Sequence, residues 1–215
     1  MRRLVLCVAV VAFAGLVPAM GAPVQWRVED GGNGHYYELV GNIVHYPDDV
    51  WSWQDAKLIA ESRSWLGLQA HLATITTAAE NQFILDAFFV SQRWPTWIGL
   101  TDSETYGGTE SYNYGWPARQ TQGWVWVTGE PVEYTNWHPD FETPANFYED
   151  SDFVTIGSQW NDHAYWVDIL SGTAGHAQFL AEYDVIPEPS TVIVWSLLGA
   201  SGVGIGWWRR RRIGA

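Results

Sequence analysis

The chain has 215 residues, 47% of them hydrophobic and 16% charged, with 24 acidic against 11 basic side chains and a formal net charge of −13. That composition describes one globular domain of ordinary size. It argues against nucleic acid and anionic lipid as partners, because both are bound through Lys and Arg. Six of the basic residues are Arg2, Arg3 and Arg209 to Arg212, so the interior keeps only Arg27, Lys57, Arg63, Arg93 and Arg119. Such a body suits cations or neutral polar partners, although an acidic surface also simply keeps a secreted protein soluble. Cys7 is the only cysteine, so the body is expected to hold no disulfide.

Residues 1–22 read as a secretory signal peptide: Met1-Arg2-Arg3, an apolar run from Leu4 to Val17, then small residues at Ala19, Gly21 and Ala22. His35 to Val40 has strand composition and is followed by a turn at Gly41-Asn42. A helix is expected from Ser52 to about Arg63, with Ala56, Ile59 and Ala60 on one face. Thr77-Ala78-Ala79-Glu80 has the spacing of a reciprocal capping box, and Phe83, Ile84, Ala87, Phe88 and Val90 follow at helical spacing. From Thr101 to Gly123 runs a loop rich in Gly, Thr, Ser and Tyr, carrying Tyr106, Tyr112, Tyr114 and Trp116. It reads equally as a binding loop or as a solvated insertion. Further strands are expected at Trp124 to Val127, Phe153 to Ile156 and Phe179 to Tyr183. Two early helices followed by short strands make an α+β pattern.

Four segments occur in a telling order: His71-Leu72-Ala73-Thr74-Ile75, Trp97-Ile98-Gly99-Leu100, Trp124-Val125-Trp126 running to Asn136-Trp137, and Trp160-Asn161-Asp162. This set resembles the C-type lectin domain, over roughly Tyr36 to Tyr183. Phe179-Leu180-Ala181-Glu182 resembles its closing strand, with Ala181 where the animal domains carry a cysteine. The resemblance implies a C-type lectin-like domain at 23–184. It also implies a calcium ion whose remaining coordination is completed by hydroxyls of a bound glycan or exopolysaccharide.

Calcium takes six to eight oxygens, and the region from Asn136 to Asp162 is dense in them: Asp140, Glu142, Asn146, Glu149, Asp150, Asp152, Asn161 and Asp162. The resemblance implies Glu142, Asn146, Glu149, Asn161 and Asp162 as metal ligands, with Glu142, Asn146, Asn161 and Asp162 also touching the sugar. Asn161 and Asp162 match the family pattern directly. Glu142-Thr143-Pro144-Ala145-Asn146 carries one extra residue on each side of the proline that the family places in a cis bond. The downstream carboxylate stays open, since alignment on Phe153 falls near Ser151 while residue type favours Glu149. Glu and Asn as sugar-contacting types resemble the mannose-binding set. Glu130-Pro131 precedes Asn136-Trp137 and is read as a turn. A metal-free protein that binds protein through the 101–123 loop is the alternative.

Trp97, Trp124, Trp126, Trp137 and Trp160 sit at positions where the family packs its core. Trp51, Trp53, Trp65, Trp94, Trp116 and Trp166 lie outside those motifs, and some are candidates for exposed platforms on which sugar rings stack. His71 is expected to pack, and His138, His163 and His176 share no motif. With no His-Glu-x-x-His, Gly-x-Ser-x-Gly or Ser-x-x-Lys pattern, and no cysteine in the body, catalysis is not expected.

The tail, 185–215, combines Pro187-Glu188-Pro189, an apolar stretch at 191–208 and four arginines. The stretch has about the length of a transmembrane helix, with its arginine end on the cytoplasmic side. The combination resembles the PEP-CTERM sorting tail of bacteria. That implies export across the inner membrane, a temporary C-terminal membrane anchor, removal by an exosortase-type enzyme, and delivery to the cell surface or extracellular matrix.

Overall fold

A computed structural model of the chain describes residues 21–41, 52–89, 95–139, 144, 151–157, 164–170 and 178–185. The chain enters through a short strand, β1 (Val24–Gln25), which pairs antiparallel with β2 (Tyr36–Gly41). Helix α1 (Trp53–Glu61) starts where Ser52 predicted it. Ser52 Oγ accepts from the Asp55 N–H at 3.1 Å, and the Asp55 carboxylate accepts from the Ser52 N–H at 3.2 Å. This reciprocal cap fixes the helix start, and Trp53, Ala56 and Ala60 form its buried face. The helix stops short of Arg63 because the chain turns there into a hairpin of β3 (Ser64–Trp65) and β4 (Leu68–Leu72). Its turn residues Leu66 and Gly67 both have positive φ, 51° and 84°, the geometry that a two-residue hairpin turn requires. Arg63 meanwhile clamps Glu38 on β2 with two guanidinium contacts, at 2.6 and 3.2 Å.

Thr77 caps α2 (Ala78–Ile84) by accepting from the Glu80 N–H at 3.1 Å. The expected reciprocal bond is displaced by one residue: Glu80 Oε2 accepts from the N–H of Thr76, at 2.8 Å, and from its hydroxyl. Burial explains the change, because the Glu80 side chain is drawn inward to the Tyr37 hydroxyl. Beyond Ile84 the backbone widens into a π-helical turn, Leu85–Phe89, where an unbroken helix was expected.

The remaining strands are β5 (Thr96–Thr101), β6 (Val125–Trp126), β7 (Phe153–Ile156), β8 (Trp166–Ile169) and β9 (Gln178–Tyr183). The mixed sheet runs β1-β2-β9-β5-β7-β8, with β4 also on β9 and β6 on β5. β9 is its axis, antiparallel to β2 and β4 and parallel to β5 through Trp97 and Phe179.

Alternation along β5 and β9 divides the core into two layers. Ile98, Leu100 and Leu180 face the layer containing Ile84 of α2, whereas Trp97, Phe179 and Ala181 face the layer containing Trp53, Ala56 and Ala60 of α1. Gly99 sits where β5 is most crowded: a Cβ there would lie 2.7 Å from the Leu72 carbonyl oxygen and 2.8 Å from a Val127 methyl. Among the described residues, no helix is long and apolar enough to cross a membrane. The apolar stretch at 191–208 and residues 1–20 lie outside them.

Trp97, Trp124, Trp126 and Trp137 are buried as expected, and Trp53 and Trp166 join them with no exposed surface. These last two are therefore core residues and not sugar platforms. Trp53 Nε1 donates to the Ile98 carbonyl at 2.8 Å, and Trp166 Nε1 donates to Asn81 Oδ1 at 2.9 Å. Each indole thus satisfies its polar atom inside the core. Trp51, Trp94 and Trp160 lie outside the described residues.

Candidate functional site

Strand β5 runs out at Thr101, opposite Phe153 at the start of β7, and the chain continues as Asp102-Ser103. Asp102 is only 1% exposed. Its N–H donates to the Asp152 carbonyl at 3.2 Å, and its Oδ2 accepts from the Ser111 N–H at 2.9 Å. Its Oδ1 meets no well-aligned donor among the described residues, and the buried Ser111 hydroxyl interacts with the same carboxylate. A carboxylate oxygen left so is costly. Burial pushes the Asp102 carboxyl up to about 7; the Ser111 hydrogen bonds oppose the rise, and the charges of Asp152 and Glu110 add to it.

The loop after Asp102 is anchored, not solvated throughout. Three 3-10 turns, Glu104–Tyr106, Ser111–Asn113 and Ala118–Gln120, fold it back on itself. The Trp124 and Trp137 indoles donate to the carbonyls of Arg119 and Gln120, at 3.2 and 2.8 Å. Tyr106, expected among the exposed aromatics, packs against Trp53 and Phe153 instead, with ring centroids 4.9 and 6.3 Å away. Trp116 is the exposed one, at 49%, with the Arg119 guanidinium 4.5 Å over its ring.

Of the residues tied to calcium by sequence, Glu142, Asn146, Glu149, Asn161 and Asp162 all lie outside the described residues. Their flanks are described. Pro144 and Ser151 are buried, Asp152 is half-buried, and β7 follows at once. On the far side, Asn136 Nδ2 donates to the Ala164 carbonyl at 2.7 Å, and Trp137 bridges to Trp166. Asp152 therefore stands beside Asp102 at the Phe153 end of β7, whereas Asn136, Ala164 and Trp166 stand at its Ile156 end. Asp102 was missed from sequence because it stands alone between Thr101 and Ser103, 50 positions before Asp152.

A second acidic group gathers at the other edge of β9. Glu182, 2% exposed, accepts from Tyr37 Oη at 3.0 Å and from the Thr74 N–H at 2.8 Å, and it pairs with His35 at 2.8 Å. Glu80 shares the same Tyr37 hydroxyl, and burial together with the Glu182 charge raises its carboxyl. His71, expected to pack, instead pairs with Asp184 at 3.0 Å. Burial alone would lower His71, but the Asp184 hydrogen bond, the Glu182 charge and the Leu72 carbonyl hold it up at about 9. Glu130, read from sequence as part of a turn, feels this group as well: burial and the charges of Glu182 and Asp184 raise it.

No family model matches the chain. Among curated proteins it is 30% identical over 173 residues to halomucin of Haloquadratum walsbyi, covering 74% of this chain and 2% of halomucin. It is 26% identical over 133 residues to human C-type lectin domain family 17 member A, covering 59% of this chain and 29% of that protein. The chain thus spans a small part of the length of both relatives. Among solved structures, the C-type lectin CEL-I from Cucumaria echinata superposes with a TM-score of 0.50 at 20% identity, over 71% of this chain and 91% of that one. Human lithostathine gives 0.50 at 18% identity, over 76% and 88%. The mixed sheet centred on β9, with α1 and α2 packed against it, is a C-type lectin-like fold.

Proposed function

We propose that this protein is a calcium-assisted glycan-binding protein of the cell exterior, with its site where Asp102 and Asp152 meet the acidic segment 140–150. The observation that carries this reading is the buried Asp102 oxygen that has no well-aligned donor among the described residues. A hard divalent cation satisfies such an oxygen, and oxygen is the ligand type that calcium prefers. Asp102 and Asp152 would hold the ion together with Glu142, Asn146 and Glu149. Asn161 and Asp162, also expected as ligands, belong to the connection between Gly157 and Ala164, which leaves β7 and enters β8 at the end away from Asp102. Glu142 and Asn146 would also orient the sugar. The bound ion supplies a positive centre to which vicinal hydroxyls of a glycan coordinate. Reversible binding without bond cleavage fits a chain that lacks catalytic motifs, so an enzyme is not proposed. Export through residues 1–22 and sorting through 185–215 by an exosortase-type enzyme complete the reading.

Calcium titrated into the full chain tests it. The expected result is a melting temperature that rises with calcium by mass action, no rise in Asp102→Asn, and glycan-array binding that a chelator removes. An unchanged melting temperature in the parent protein would refute the calcium site. Trp116 supports one second reading, in which the exposed ring and its stacked arginine form a metal-free adhesive contact for protein. Array binding or protein binding that survives chelation and is lost in Trp116→Ala would favour it.

A further inference from the structure

The group around Asp184 has a feature that the glycan reading does not use. His71 Nδ1 lies 2.8 Å from the Leu72 carbonyl, which can only accept, so this nitrogen carries a proton. His71 Nε2 then faces Asp184 Oδ1 at 3.0 Å, and His35 Nδ1 lies 2.8 Å from Glu182 Oε1 and 3.3 Å from Asp184 Oδ1. The His71 contact sets one lone pair against another unless the ring is an imidazolium, whereas the neutral Nδ1–H tautomer of His35 donates to both carboxylates. A metal ion at His35 Nδ1 would take the place of that proton, between the same two carboxylates.

Several features match a metal better than a surface ion pair. The ligand atoms of His35, Glu182 and Asp184 all lie within 4.8 Å of one another, and the two His35 contacts approach the edge length of a small tetrahedron, roughly 3.3 Å for bonds near 2.0 Å. The ligands are also oriented from behind. Asp184 is held by His71, itself fixed by the Leu72 carbonyl, and Glu182 is held by the Thr74 N–H and the Tyr37 hydroxyl. Outer contacts of this kind set the tautomer and aim of metal-bound side chains. An imidazole beside two carboxylates selects zinc-class ions, whereas calcium takes oxygen alone. His35 directly precedes β2, and Glu182 and Asp184 stand at the end of β9, so the site would tie these two paired strands together.

We infer that His35, Glu182 and Asp184 form a binding site for a zinc-class divalent ion, with His71 positioning Asp184, distinct from the calcium site at Asp102. A metal-bound His35 nitrogen carries no proton, so affinity falls as the solution becomes acidic, with Glu80, Glu182, Asp184 and Glu130 as the charges facing the ring.

The full chain, prepared without a histidine tag, is titrated with cobalt(II) and followed by its visible absorption. One equivalent should give a tetrahedral band that zinc abolishes and calcium does not, and zinc alone should raise the melting temperature. Asp184→Asn and His35→Gln alter partly exposed side chains, and each should weaken zinc binding at least about tenfold. Circular dichroism establishes that each variant is folded, and if one is not, the other decides. Asp102→Asn should leave the zinc titration unchanged, which separates failure of this site from failure of the calcium reading. Absence of a zinc-sensitive band, equal binding by both folded variants, or replacement of zinc by calcium would overturn the assignment.

Discussion

Glu182 and Asp102 are both nearly sealed from solvent, at 2% and 1% exposure, yet their surroundings are opposite. Glu182 is met by a hydroxyl, a backbone N–H and a histidine ring. Asp102 is met by backbone at one oxygen and by no well-aligned described donor at the other. The first carboxylate is complete as folded, and its removal breaks a network. The second is incomplete, so it weakens the fold until protonated or paired with a cation. Burial alone therefore does not distinguish a carboxylate whose oxygens already meet donors from one left short of them; the count of donors does.

The contrast can be broken most severely at Glu182. Glu182→Ala leaves His35 and the Thr74 N–H without their acceptor, and we expect a loss of about 4 kcal/mol, measured by denaturant unfolding. Asp102→Asn should act in the opposite direction. The unfolded carboxyl ionises near 3.8, whereas the folded one keeps its proton to about 7. The folded state therefore binds more protons between those values and loses stability as pH rises through them. Asn cannot ionise, so in chelator at pH 8 this variant should be more stable by about 3 kcal/mol while losing its response to calcium. A destabilised Asp102→Asn would mean that the buried oxygen already has a partner.

The histidine side sharpens the comparison through pH. His71 is raised to about 9 from 6.5, so its contribution is fully present below about 6.5 and is lost as pH climbs through 9. His71→Gln should flatten the stability profile over that window by about 2 kcal/mol, a figure reduced for solvent screening at the half-exposed Asp184. The smallest effect belongs to Trp116→Ala. Its half-exposed ring should cost under about 0.5 kcal/mol in stability, so any loss of ligand binding there would report on contact and not on folding.

Much of the fold was legible because local chemistry and global topology agree. Ser52 and Thr77 marked helix starts, and Phe153 to Ile156 has the β-branched and aromatic composition of a strand. The Trp-Ile-Gly-Leu strand has its glycine where a Cβ would strike Leu72. The capping pattern at Thr77 misled because Glu80 answers to Tyr37, 43 residues away, as well as to its own helix. Trp53 and Trp166 were offered as platforms because no motif claimed them, yet the two core layers did.

Residue type and order along the chain determined the α+β character, the acidic balance, the helix starts and the lectin-like strands, since these depend on neighbours a few positions apart. Which carboxylates are satisfied was decided only in three dimensions. Asp102 meets Asp152, and His35 and His71 meet Glu182 and Asp184, across separations that no local pattern records. The donors that a buried oxygen finds depend on how strands β2, β4, β5, β7 and β9 are laid side by side.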